Sequence, residues 1–250
     1  MHKVAENLPT FITNEHFVAG TVCALGDDAV RHLKVLRLAV GAKVGLRDGA
    51  GLVGHAKIVK VAKGHAQVEV LSAAVSDPLP DVHLLVPVAD RERLLWLAEK
   101  ASELGATSWR PVLWRRSRSV APRGEGPAFQ AKLRARMLSA LAQSQGAWIP
   151  QIFPEANLER ALLAAPPGDR IVLDVQGEPM VGPGAPPLVA PVVIALGPEG
   201  GLEDDELGAL KDAGFRSAGL GGSILRFETA GIAALAIART ALGIPPLKRS

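Results

Sequence analysis

The chain has 250 residues, 48% of them hydrophobic and 4% aromatic, with no tyrosine and a net charge of only +3. That is apolar content enough for one large or two modest globular domains. A single cysteine, Cys23, excludes an internal disulfide and a multi-cysteine zinc site, so no metal is expected and a reducing cytoplasm is. The sequence has neither a charged-then-apolar leader nor a run of about 18 apolar residues, so export and membrane spanning are not expected.

The small net charge hides an uneven distribution. Residues 31–63 hold eight Lys/Arg against one acid, Asp48, and residues 109–136 hold eight against Glu125. Residues 151–210 reverse the balance, with ten acids against two arginines. Two basic segments suit a polyanion, because phosphate neutralisation supplies most sequence-independent affinity for nucleic acid. A solvated basic surface is the plainer reading of either segment alone.

Residues 1–72 read as short β-rich structure. Asp48-Gly49 is a hairpin turn signal, and Ile58–Val61 and Gln67–Leu71 are strand-like around Lys63-Gly64. Before them Arg31–Leu38 fits a helix, with Leu33, Leu36 and Val40 on its apolar face. Arg31, Lys34 and Arg37 then share its polar side. Cys23 reads as a small half-buried residue and His32 as a surface or capping one. Residues 73–81, with Pro78 and Pro80, read as a linker.

From residue 82 to the end the pattern changes to strands alternating with helices, which points to a parallel α/β sheet. Val82–Val88 is a strand, and Asp90 caps a helix through Leu104 that Gly105 stops. Trp109–Trp114 is a strand, followed by the basic run Arg115–Ser119. Pro127 opens a helix that ends at Gly146. Helix Leu158–Ala165, strand Ile171–Asp174 and a proline-rich loop over 177–191 follow. The four tryptophans, Trp96, Trp109, Trp114 and Trp148, read as core or interface residues.

The stretch from Pro191 to Gly243 holds the most information. The apolar run Pro191–Leu196 breaks into Gly197-Pro-Glu-Gly-Gly201, and an acid-rich helix start follows at Leu202–Glu206. A strand over Phe215–Leu220 leads to a second glycine loop, Gly221-Gly222-Ser223, and then to a helix that is apolar on nearly every side. Each loop lies after a strand and before a helix, where bare backbone can approach a ligand closely. Neither is a P-loop or a dinucleotide fingerprint, because the following Lys-Ser/Thr and the G-x-G-x-x-G spacing are missing.

The wording of these loops, Leu196-Gly-Pro-Glu-Gly-Gly201 with Glu206 and Leu220-Gly221 with Ile224-Leu-Arg-Phe-Glu-Thr-Ala230, resembles the RsmE-type 16S ribosomal RNA uridine-N3 methyltransferases of the knotted SPOUT superfamily. Lys100, Glu103-Leu-Gly105, Gln143-Ser144 and Pro150 match that family's middle region. Ala142, Gln145 to Ala147 and Ser223 depart from it, as does Glu203 in place of a small hydroxyl cap, at about 1 kcal/mol. The resemblance implies an α/β knotted methyltransferase domain over 82–250, a rare exception to unknotted chains, preceded by a small PUA-like β-barrel over 1–72.

It further implies S-adenosylmethionine held by Leu173, Leu196, Gly197, Pro198, Gly200, Gly201, Leu220, Gly221, Ile224 and Leu225. It implies a homodimer, with 16S rRNA in the small ribosomal subunit as partner. Arg31, Lys34, Arg37, Arg115, Arg116 and Arg118 are then the candidate phosphate contacts. Positioning supplies about 7–11 kcal/mol in such a transfer, against roughly 3–5 for a general base, so placement dominates. Arg226 would meet the negative charge developing on the uracil oxygens. Glu199 or Glu228 would accept the N3 proton, and the sequence does not choose between them. Arg226 and Glu228 equally fit a structural ion pair, and Glu199 a helix start. A knotted ribose 2′-O-methyltransferase and a catalytically silent RNA-binding assembly factor are the alternatives.

Overall fold

A computed structural model describes residues 8–119 and 126–243, with only the backbone at Arg118 and Ser119. Two compact units emerge. Among the described residues, one takes those up to Pro78 together with 138–149, and the other takes 79–137 and 150–243.

The first unit is a five-stranded sheet in the order β1 (Thr10–Ile12), β3 (Lys43–Arg47), β4 (Leu52–Val61), β5 (Ala66–Val75) and β2 (Val22–Leu25). β1 runs parallel to β3 and the other pairs are antiparallel. The Asp48-Gly49 turn forms as read, because Asp48 Oδ1 accepts the N–H groups of Ala50 at 2.7 Å and Leu52 at 2.9 Å. Among the described residues β1 and β2 are left as open edges, so the expected barrel is a half-barrel. Phe11, Phe17, Leu33, Leu46 and Ile58 fill its core, and Cys23 is packed there too.

The helix of this unit, α1, spans Asp27–Val35 and so sits earlier than the sequence pattern suggests. It ends because Leu38 N–H reaches Leu33 O and Arg37 N–H reaches Lys34 O, with Arg37 at φ 55°. That is the glycine-type helix stop made by an arginine. Its buried face is Val30 and Leu33, whereas Leu36 and Val40 are exposed, contrary to the expected apolar face. β5 also continues to Val75, taking three residues from the expected linker.

The second unit is a six-stranded sheet, parallel throughout. Its order is β11 (Arg216–Gly219), β9 (Asp169–Pro179), β10 (Val192–Ala195), β6 (Val82–Pro87), β7 (Ser108–Val112) and β8 (Gln151–Ile152). Its helices are α2 (Arg91–Glu103), the first part of α3 (Pro127–Ser144), α4 (Leu158–Leu163), α5 (Asp204–Asp212) and α6 (Phe227–Ala241). β10 reads as an unbroken apolar run because all four of its residues are buried, as a strand covered on both faces requires. Asp90 caps α2 by accepting the Arg93 N–H at 3.0 Å, as expected from the sequence.

β9 is longer than expected and enters the stretch read as a loop. It pairs with β11 in two registers, Ile171 and Val172 first, then Glu178 and Pro179, so residues 173–177 bow out between them. Close passage of β9 and β11 needs Gly177 and Gly219. A Cβ on Gly177 would lie 2.5 Å from Ala218 N, and one on Gly219 2.6 Å from Gly177 O. β11 lies outside β9, yet α6 returns to pack on α2, β6 and β10. The last helix thus doubles back across the parallel sheet, in the α/β arrangement expected.

α6 is less uniformly apolar than its sequence suggests, because Arg239 is 1% exposed within it. Its guanidinium donates to the carbonyls of Leu104, Gly105 and Pro80, closing the carboxyl end of α2. Burial pulls its pKa down to about 10, against an opposing pull from Asp81.

Candidate active site

The carboxyl ends of β6, β7, β9, β10 and β11 lie along one edge of a parallel sheet, and the loops that leave them carry the motif residues. In open α/β sheets ligands bind at that edge. β10 delivers the first glycine loop and β11 the second. β6 delivers the start of α2, β7 the short 3₁₀ segment Arg115–Ser119, and β9 the bowed segment 173–177.

The first loop is tied down by charge. Arg116 Nε donates to Glu203 Oε1 at 2.8 Å, and its Nη1 donates to the Gly200 carbonyl. Arg115 pairs with Asp205, and its backbone N–H reaches Glu206 Oε1 at 2.9 Å. The other oxygen of Glu206 accepts the Glu203 N–H at 2.9 Å. Glu206 is 6% exposed, so its carboxylate is a buried pin between the 3₁₀ segment and the start of α5. The expected weak cap at Glu203 is therefore offset by Glu206, three residues on, in the reciprocal position of a capping box.

The two candidate glutamates converge on a residue that no sequence motif singles out. Arg93, on the first turn of α2, pairs with Glu199 of the first glycine loop. The same Nη1 lies 3.9 Å from Glu228 Oε1, at the start of α6. Glu228 is 5% exposed, and its Oε2 has no hydrogen-bond partner among the described residues. Its ion pair is thus with Arg93 rather than with Arg226. Arg226 stands exposed at the N-cap of α6 in extended backbone. A signal for Arg93 does exist, because a cation in the first turn of a helix opposes the helix dipole unless an acid faces it.

The residues expected to hold a cofactor fall into two groups. Leu196 and Pro198 are buried, and Leu196 packs toward α6 where a Cβ on Gly231 would lie 2.8 Å from it. Leu173, Gly197 and Leu220 are half-buried, and Gly200 and Gly201 are exposed. Gly221 has φ +135°, and a Cβ built on it or on Gly222 meets nothing within 4 Å. Beyond it Ile224 is 88% exposed and Leu225 36% exposed. An open cleft of about 430 Å³ runs beside this loop, lined by Pro179, Met180, Val181, Leu220, Gly221 and Ile237. That volume falls within the range of small-molecule sites.

The candidate phosphate contacts divide similarly. Arg31, Lys34 and Arg37 are exposed on and just after α1, and Arg31 pairs with the exposed Asp28. Arg115 and Arg116 are instead engaged with the acidic start of α5 and with the Gly200 carbonyl. The Arg118 side chain lies outside the described residues. Trp109 and Trp114 are fully buried, whereas Trp96 and Trp148 are partly exposed. Among the described residues there is no cluster of His, Cys, Asp or Glu fit to hold a metal, and no helix long and apolar enough to cross a membrane.

Residues 76–239 match the family described as RNA methyltransferase domain, and residues 25–71 match RNA methyltransferase PUA domain. The chain is 31% identical over 209 residues to ribosomal RNA small subunit methyltransferase E of Synechocystis, covering 81% of this chain and 67% of that protein. It is 28% identical over 221 residues to the protein of the same name from Mycobacterium bovis, covering 84% and 82%. The crystal structure of ribosomal RNA small subunit methyltransferase E from Neisseria gonorrhoeae, bound to S-adenosyl methionine, superposes with a TM-score of 0.84 at 27% identity. That match covers 94% of this chain and 98% of the other.

Proposed function

This chain belongs to the RNA methyltransferase family that includes ribosomal RNA small subunit methyltransferase E, and on that premise we propose that it methylates N3 of one uridine in 16S rRNA, with S-adenosylmethionine as donor. The observation that carries this reading is the open second glycine loop at the carboxyl edge of the parallel sheet. There Gly221 leaves room for a ligand, and Ile224 and Leu225 offer apolar surface to it.

The residues present fit such a cofactor. The uncluttered backbone at Gly221 and Gly222 and the half-buried Leu173 and Leu220 suit a ligand with both polar and apolar parts. Leu196, Gly197, Pro198, Gly200 and Gly201 supply the facing loop, which Arg116 and Glu206 hold in place. S-adenosylmethionine, when bound, supplies an electrophilic methyl group. The chain's own work is to place the uracil ring, take its N3 proton and balance the charge left on its oxygens. Arg226 is the candidate for the last task, and Glu228 or Glu199 for the second. A base in structured RNA must first leave its stack, which requires a grip on the surrounding backbone. Arg31, Lys34 and Arg37 on the amino-terminal domain, residues 1–72, are suited to that grip.

The protein is read as a cytoplasmic homodimer acting on the small ribosomal subunit. Ile232, Ala233, Ala236 and Ile237 on α6 are only partly covered, which leaves apolar surface for a second copy. Transfer of labelled methyl to purified small subunits, with the modified atom mapped, tests the activity. N3-methyluridine supports it, a ribose methyl assigns the chain to 2′-O chemistry, and no transfer leaves an RNA-binding factor.

A further inference from the structure

Arg93 belongs to neither glycine loop, yet its Nη1 reaches both the first loop and the start of α6. Glu199 Oε1 and Glu228 Oε1 share that nitrogen, so a single guanidinium sets the spacing of two carboxylates that come from separate motifs. The arrangement also leaves Glu228 Oε2 buried and without a hydrogen-bond partner among the described residues. A buried acceptor left unsatisfied is costly, and the cost is cancelled when a ligand donates to it.

We propose that Arg93 is a positioning residue for the methyl transfer, holding Glu228 so that its buried, unpaired Oε2 accepts an N–H group of a bound ligand. The inference rests on the transferase reading of this site. The N–H donor has two sources, the uracil ring of the substrate or an amino group of the cofactor. Arg93 itself touches neither reactant and acts through Glu228. Its second contact, to Glu199, keeps the first glycine loop in register with that carboxylate. The Arg93 side chain is 29% exposed, and its removal leaves the buried Glu228 carboxylate unpaired, so Arg93→Lys, which keeps the cation, is the variant that separates a fold effect from a positioning effect.

The test is a cycle of four proteins, wild type, Arg93→Ala, Glu228→Gln and the double variant, with Arg93→Lys as the conservative control. Each is measured for turnover on small subunits, for S-adenosylmethionine affinity by calorimetry and for thermal midpoint. Displacement of an orienting group costs up to about 10²-fold, so Arg93→Ala, assayed well below its own thermal midpoint, should lower kcat by about 10- to 10²-fold. In the Glu228→Gln background the same change should lower kcat by no more than about threefold, because the effects of groups acting as one unit are not additive. Arg93→Lys should recover part of the loss. If the donor is on uracil, cofactor affinity stays within about threefold in all variants; if it is on the cofactor, affinity falls in Glu228→Gln and Arg93→Ala alike. Multiplicative losses in the double variant, or unchanged turnover in Arg93→Ala, overturn the proposal. A wild type that methylates a different atom overturns the N3 reading but leaves the cycle measurable on that product, and a wild type with no transfer overturns both.

Discussion

Glu206 accepts the backbone N–H of Arg115, 91 residues earlier in the chain, at 2.9 Å, and with its second oxygen holds the N–H of Glu203. One buried carboxylate thereby joins the segment after β7 to the loop after β10. Both N–H groups would be left without their acceptor in Glu206→Ala, at roughly 1–3 kcal/mol for groups this close to the surface. Glu206→Gln keeps one acceptor and should lose about half as much. Denaturant unfolding of the two variants checks the order. Because the same carboxylate anchors Glu203, two residues beyond the Gly197–Gly201 loop, cofactor affinity should fall in parallel.

The glycines divide into those that the fold needs and those that the ligand needs. Gly219→Ala pushes a methyl group against the Gly177 carbonyl and should cost about 1–3 kcal/mol, as overpacking does. A Cβ at Gly221 meets no protein atom within 4 Å, so beyond the strain of φ +135° the effect of Gly221→Val should fall on the ligand. Calorimetry should show S-adenosylmethionine binding abolished in Gly221→Val while circular dichroism shows a native fold. Retained affinity would move the cofactor away from this loop.

Much of the fold is legible in the sequence, and what is not has physical causes. The strands and helices of the second unit follow from runs and caps, such as the all-buried Val192–Ala195 and the Asp90 cap. The wording of the two loops points to their chemistry. Contacts between distant motifs are not legible, because no local pattern tells Glu228 that its partner is Arg93 rather than Arg226. Arg239 is hidden for the same reason, since the Leu104 carbonyl it closes lies 135 residues away. The end of α1 escapes sequence rules because Arg37 occupies a left-handed position that those rules assign to glycine.

His83 gives the unfolding free energy a pH dependence. Burial lowers its pKa from the ordinary 6.5, Asp81 pulls the other way and Arg239 adds to the lowering, while its Nδ1 lies 2.8 Å from Ser108 Oγ. The unfolded chain therefore takes up this proton first as the solution is acidified. Stability linked to His83 is complete above pH 6.5 and is lost below it, until the folded form also protonates. His83→Asn should show a smaller drop between pH about 7.5 and about 5.5 than wild type in denaturant titrations. An equal drop would assign the dependence to other groups.

Reversing the charge of Arg31, Lys34 and Arg37 together should weaken RNA binding and lower the slope of log affinity against log salt by about one for each phosphate no longer neutralised. Arg115 and Arg116 are occupied by Asp205, Glu203 and the Gly200 carbonyl, so Arg116→Ala should change cofactor affinity more than the salt slope. Filter binding over a range of salt separates the two sets. An unaltered slope in the triple variant would make Arg31, Lys34 and Arg37 a solvated surface.

The most direct test is mass spectrometry of 16S rRNA from a strain lacking the gene, complemented with wild type, with Arg226→Ala or with no chain. One N3-methyluridine should be lost on deletion and restored by the wild-type chain. Arg226→Ala should restore it about 10²–10³-fold more slowly in purified small subunits, the scale for losing one donor to a developing anion. Loss of a ribose methyl, or an unchanged set of base methylations, would contradict the central claim.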